Sequence, residues 1–220
     1  VTDVADPWVT LAAIACATER VTIGPLVTPL ARRRPAKLAR ECVSVDRLSD
    51  GRLVFGAGLG GDGSREFAGF GDEADPRARA RLLDEGLDVL LALWSGEQVD
   101  HRGPAYVVDG MAFGPPPVQQ PRIPVWVAAR YPHRAPVRRA ARYDGLFPID
   151  LDTPQQLAEL LAVVAEHRDP AAGPFDVAVE AMPGRPAEFE EAGATWWLRG
   201  FDQYTVTAAA VREVLAAGPG

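Results

Sequence analysis

The sequence predicts an α/β fold: a parallel sheet whose strands are joined through helices. Three observations carry that prediction. Helical and extended patterns alternate from one end of the 220 residues to the other. Most extended segments are short, unbroken apolar runs such as Val21–Val27 and Ile123–Ala129, as strands covered on both faces require. The helical segments carry apolar stripes at spacings of three and four, clearest at Leu83, Leu87, Leu90 and Trp94.

Taken in order, Asp6 followed by Pro7 marks a helix start, an acidic N-cap with proline at the first helical position. That helix runs to about Thr18 with Leu11, Ile14 and Ala15 on one face. Val21–Val27 is a strand, and Pro35 opens a helix with Leu38, Cys42 and Val45 inward. Arg52–Gly58 is the next strand, followed by the helix Pro76–Ser95. Gly96–Arg122, with Gly103-Pro104 and Pro115-Pro116-Pro117, is longer than an ordinary connection and is read as an irregular excursion or lid. Ile123–Ala129 is a strand, His133–Tyr143 a helix and Asp144–Ile149 a strand. Thr153-Pro154 then caps a helix with Leu157, Leu160, Leu161 and Val164 inward. Phe175–Ala181, Pro186–Ala192, Ala194–Leu198 and Thr205–Ala217 complete the alternation as strand, helix, strand and helix.

Strands alternating with helices imply right-handed βαβ units, so these six should be parallel neighbours in chain order. No GxGxxG opens a helix directly after the first strand, which makes a dinucleotide-binding doubly wound sheet the weaker reading. A (β/α)8 barrel of the TIM-barrel type is favoured, incomplete because six strands are present rather than eight, in one domain spanning 1–220.

At 47% hydrophobic, the chain can bury a sizeable core. A net charge of −7 gives no reason to expect nucleic acid or an anionic membrane as partner. No apolar run is long enough to span a bilayer, and no secretion signal opens the chain, so a cytoplasmic location is expected. Cys16 and Cys42 sit in separate helical patterns with no metal or redox spacing, and both are read as small buried hydrophobes. His101, His133 and His167 make no zinc pattern, and no metal is expected. Lys37 is the single lysine and asparagine is absent, as in GC-rich bacterial coding, so an arginine at a candidate site stands against an arginine background.

The segment Leu48-Ser-Asp-Gly-Arg-Leu-Val-Phe-Gly-Ala-Gly-Leu-Gly-Gly61 is the most informative in the chain. Its glycines follow a strand end, where they let backbone N–H groups approach a ligand, typically an anion. It resembles the glycine-rich block of the bacterial luciferase-like flavin- and deazaflavin-dependent oxidoreductases. Further blocks follow in the same order. They include Asp6-Pro7-Trp8, Thr18–Pro29, Arg34-Pro35, Arg65-Glu66-Phe67, Leu83–Leu87, Leu93–Gly96, Pro117–Gln119, Arg139–Ala141, Asp144-Gly145 and Ala192–Trp197. The resemblance covers nearly all of the chain and assigns its strands as the family's third to eighth. The family's first strand, first helix and second strand, with the Trp-Asp-His block that ends the second, have no counterpart here. Val1 is consistent with a GTG start codon, mis-called or genuine. Two strand edges would then be unpaired, and a homo-oligomer or a gap is expected.

The resemblance also implies where a cofactor would lie. A non-prolyl cis peptide at Leu26–Val27, with Thr28 following, would form a bulge behind the central flavin ring. The alternative is an ordinary strand end before Pro29. Leu59, Gly60 and Gly61, together with Arg130, Tyr131 and Arg134, would hold the cofactor phosphate through backbone N–H groups, cationic charge and a helix N-terminus. For Arg134 a solvated surface charge weighs equally, and His133 reads as a helix-start residue. Asp62, Glu66, Asp150, Glu180 and Arg199 fall near strand ends and read individually as surface charges or salt-bridge partners. Trp196 and Trp197 should point to opposite faces, one lining the pocket.

The function so implied is hydride transfer or monooxygenation of a small organic substrate with coenzyme F420 or, as second choice, FMN. No catalytic side chain is identified. The rival is a non-catalytic or vestigial cofactor-binding barrel fragment, with a barrel for a phosphate-bearing substrate as third reading.

Overall fold

The computed structural model describes residues 5–180, 186–202 and 205–218. In chain order the elements are α1 (Pro7–Ala17), β1 (Thr28–Pro29), α2 (Pro35–Leu48), β2 (Phe55–Gly58) and α3 (Pro76–Trp94). A pair of strands, β3 (Gln98–Arg102) and β4 (Val107–Ala112), comes next. β5 (Val125–Arg130), α4 (Arg134–Ala140), β6 (Gly145–Ile149), α5 (Pro154–His167), β7 (Asp176–Glu180), α6 (Pro186–Glu191), β8 (Trp196–Leu198) and α7 (Ala208–Ala217) follow. Val1 and Ala181, which enter the expectations above, lie outside the described residues.

The sheet runs β1-β2-β5-β6-β7-β8, and every neighbouring pair is parallel. This is the expected strand order, and it leaves β1 and β8 as the edges of an incomplete barrel. The strand expected over Val21–Val27 is not formed as such: within it only Ile23 pairs, and the strand β1 falls just beyond it. Only a bridge between Ile23 and Leu53 and the two residues of β1 pair with the neighbouring chain. Between them Pro25 lacks a donor, the Leu26–Val27 peptide is cis, and the segment leaves the ladder.

The helices cover the outer face. Asp6 caps α1 by accepting from the Trp8 and Val9 amides at 2.9 and 3.0 Å. Leu38, Cys42 and Val45 of α2 and Leu83, Leu87, Leu90 and Trp94 of α3 are all buried, as their spacing requires. Phe55 is the centre of this layer, stacked on Trp8 at 6.2 Å and edge-on to Trp94 at 5.9 Å. Ion pairs from Arg139 to Asp84 and from Arg142 to Asp88 tie α4 and the turn after it to α3. The thiol of Cys42 is fully buried, whereas Cys16 is exposed, so the buried-hydrophobe reading holds for Cys42 alone.

The excursion Gly96–Arg122 is not irregular throughout. It forms the antiparallel hairpin β3–β4 and then runs down the outer surface of α2 and α3 as a strap. At its upper end Glu85 of α3 accepts from the Tyr106 amide at 2.8 Å, from the Ala105 amide and from His101. At its lower end the buried Asp46 of α2 accepts from the Val118 amide at 2.7 Å and from the Gln119 side chain at 2.7 Å. Alternation was hard to read in β3 because Val99 is its single buried residue.

Candidate functional site

The carboxyl ends of β1, β2 and β5 adjoin. Ala57 pairs with both Thr28 and Val127, so Gly60–Gly61 and Arg130 emerge at the same end of neighbouring strands. The Leu26–Val27 cis peptide lies beside them. A Cβ on Gly56 would collide with the Pro25 carbonyl, and one on Gly58 with the Val27 side chain. These two glycines therefore admit the β1 bulge across β2, and it is protein rather than ligand that fills the space above them.

The two loop glycines differ in the same way. Gly60 has φ +70°, and its Cβ position is occupied by Pro29 at 2.8 Å and the Phe67 ring at 2.9 Å. Gly61 has nothing within 4 Å of its Cβ position, and among the described residues its N–H has no acceptor. Asp62 shapes the loop by accepting from the Phe67 and Ala68 amides at 2.8 and 3.2 Å. The guanidinium of Arg79, a residue only 4% exposed, stacks 4.4 Å from the Phe67 centroid and donates to the Gly60 carbonyl at 3.1 Å. Arg32 approaches the same ring at 5.5 Å and pairs with Glu66 at 2.6 Å.

The cationic residues expected here are engaged with carboxylates. Arg130 pairs with Asp150, an aspartate with φ +61°, and both side chains are more than half exposed. The Tyr131 hydroxyl donates to Glu159 at 3.0 Å, and that bond holds the phenol above its ordinary range. Arg134 reaches Glu166 at 3.5 Å. Glu159 and Glu166 belong to α5, so Tyr131 and Arg134 serve the α4–α5 contact in this structure, and Arg130 is the one beside the glycine loop. His133 precedes α4 without a side-chain capping bond, and α4 is only seven residues long. Thr28 is buried with its Oγ1 lacking a partner, and Leu59 packs against the core, so neither presents an open side chain.

A cavity of about 120 Å³ lies between the two sheet edges, lined by Ile23, Pro25, Leu26, Trp126, Trp196 and Leu198 among others. Trp196 faces it and meets Trp126 edge-on at 5.4 Å, while Trp197 packs outward on Phe189 at 5.8 Å. The two tryptophans thus alternate as expected. The Trp126 indole N–H is buried without a partner. Sequence reasoning missed Arg79, Phe67 and Asp46 as organising residues. An arginine and an aspartate on amphipathic helices give no sign of burial, and Phe67 stood out only as part of a family block.

Parallel strands, helical crossovers and a glycine loop beside a cationic strand end define a barrel-type protein with its candidate site at the strand carboxyl ends. The luciferase-like monooxygenase family matches residues 2–214, and the chain belongs to that family. An uncharacterized protein of Mycobacterium tuberculosis is 31% identical over 217 residues, 96% of this chain and 75% of its own length. A phthiodiolone/phenolphthiodiolone dimycocerosates ketoreductase of Mycobacterium sp. (strain JLS) is 32% identical over 163 residues, covering 72% of this chain and 41% of its own. Monooxygenase RslO1 from Streptomyces bottropensis superposes with TM-score 0.66 at 27% identity over 86% of this chain. The chain spans 59% of the length of that protein. An F420-dependent secondary alcohol dehydrogenase solved with an F420–acetone adduct shares the fold, with TM-score 0.68 at 22% identity over 80% of this chain and 54% of its own.

Proposed function

We propose that this chain is the barrel portion of a flavin- or deazaflavin-dependent oxidoreductase acting on a small organic substrate, with coenzyme F420 preferred over FMN. The observation that carries the reading is the pairing of a Gly61 N–H that has no acceptor among the described residues with Arg130 at the ends of adjacent strands. The family supplies the chemistry to look for, and named relatives include a ketoreductase, a monooxygenase and F420-dependent enzymes.

The residues present fit such a cofactor. Gly61 offers a free donor, Arg130 a solvent-reachable guanidinium, and Leu26, at 41% exposed, an apolar surface on the bulge. When bound, the ring supplies hydride transfer or oxygen activation, and the protein supplies binding, orientation and exclusion of water. In this scheme Gly61 N–H and Arg130 hold the phosphate by charge-assisted hydrogen bonds. Arg130 must exchange Asp150 for the phosphate. Leu26 and Val27 back the ring, and Trp126 and Trp196 exclude water from the inner wall.

Arg130→Ala tests the assignment. Because that side chain is 58% exposed, the variant should keep its melting temperature while losing about tenfold or more in FMN or F420 affinity, read by fluorescence titration. Unchanged affinity would remove Arg130 from the site. A second reading, cofactor binding without turnover, is favoured by one observation: Arg130, Tyr131 and Arg134 all face carboxylates. Single-turnover reduction of bound cofactor separates the two. We further infer that the chain self-associates through its open sheet edges and resides in the cytoplasm.

A further inference from the structure

Arg79 is a buried guanidinium with no carboxylate partner among the described residues. Its neighbours are the Gly60 carbonyl and the face of Phe67, and its own Nε is buried without an acceptor. Burying a cation this way costs free energy that a surface arginine avoids, so its placement calls for a reason. The Gly60–Gly61 peptide provides one. It is trans, and a trans peptide is planar with its C=O and N–H pointing in opposite directions. A hydrogen bond that draws the Gly60 oxygen inward to Arg79 therefore turns the Gly61 N–H outward. Among the described residues that N–H has no acceptor, and the Gly61 Cβ position is open.

We propose that Arg79 is a positioning residue for anion recognition. It grips the Gly60 carbonyl and, with Phe67 as platform, aims the Gly61 N–H at the phosphate of the cofactor. Phe67 completes the device from the other side. Its ring sits 2.9 Å from the Gly60 Cβ position, so it packs against this positive-φ glycine where no side chain would fit, while Asp62 holds the Phe67 amide at 2.8 Å. Arg79 itself does not touch the ligand. The inference rests on the reading that this loop binds phosphate, and the experiment is chosen so that the two can fail separately.

The test compares FMN with riboflavin, which lacks the phosphate, and adds inorganic phosphate as a third probe. In the wild-type chain labelled with ¹⁵N, the Gly61 amide resonance should move with phosphate and FMN but not with riboflavin. If neither phosphate nor FMN moves it, the phosphate reading fails and the role of Arg79 falls with it. Arg79→Met should shift the Gly61 resonance before any ligand is added. It should weaken FMN about tenfold while leaving riboflavin binding unchanged, and Arg79→Lys should recover part of the difference. A wild-type FMN-to-riboflavin ratio in Arg79→Met would overturn the proposal, as would equal losses for both ligands, which mark a merely structural residue. Should Arg79→Met not fold, Phe67→Leu removes the platform without touching the charge and should reproduce the selective loss. A Phe67→Leu protein with the wild-type ratio would equally overturn the proposal.

Discussion

Arg52 stands between β2 and the end of α1. Its Nε donates to the Ser49 carbonyl at 2.6 Å, and its two terminal nitrogens reach Thr18 Oγ1 and the carbonyls of Val21, Ala15 and Thr18 at 2.8–3.0 Å. Helix carbonyls left open at a C-terminus need such donors. Arg52→Met should cost about 2–3 kcal/mol of stability, measured by urea unfolding, since several bonds to a charged group are lost together. A cost near zero would mean that water replaces the guanidinium freely. The sequence places this residue in the glycine-rich block but gives no sign of its partners, because arginine is the background cation of the chain. Glycines mislead in a related way. Four of them fall in and just after β2, yet Gly56, Gly58 and Gly60 answer to packing or backbone conformation, and among the four only Gly61 is open. The thiols separate cleanly. Burial pushes the Cys42 thiol well above its usual range, so a thiol reagent should modify the exposed Cys16 in the folded chain and reach Cys42 only on unfolding.

Among the elements, the helices and central strands were legible because each buries one continuous stripe or run. The strap was not, because β3 and β4 rest on helices and carry few buried residues. Its attachment depends on Glu85. Burial alone would raise that carboxyl. The hydrogen bonds from His101 and from the Tyr106 and Ala105 amides outweigh burial and hold it below its ordinary value. A carboxyl depressed in the folded state contributes stability that is complete above its unfolded pKa and is lost as pH falls through the folded one. The difference in melting temperature between wild type and Glu85→Gln should therefore be largest at neutral pH and shrink on acidification through the carboxylate range. A difference independent of pH would assign the effect to packing instead.

For the whole molecule, β1 and β8 are the unpaired margins of a sheet that elsewhere is paired on both sides. Near these margins Val21 is 51% exposed, Leu26 41%, Trp196 38% and Trp197 37%, an apolar surface unusual for an isolated monomer. Sedimentation should show self-association, and in the dissociated protein at low concentration hydrogen exchange should be faster at Thr28 and β8 than at β2 and β5, slowing there as the protein associates. A stable monomer with both margins protected would contradict this. The barrel order could be read from the sequence because six apolar runs each lead into a helix. The site was legible only in part, because loop conformation and the partners of exposed charges are set by tertiary contacts rather than by local pattern.

The central claim is that the open strand-end glycine receives the phosphate of a flavin or deazaflavin, and Gly61→Val tests it most directly. A Cβ at Gly61 meets nothing within 4 Å and the residue does not have positive φ, so the variant should fold and melt like wild type. It should also obstruct the N–H and lower the affinity for FMN and F420 by about tenfold or more in fluorescence titration. Wild-type affinity in a correctly folded Gly61→Val protein would contradict the account.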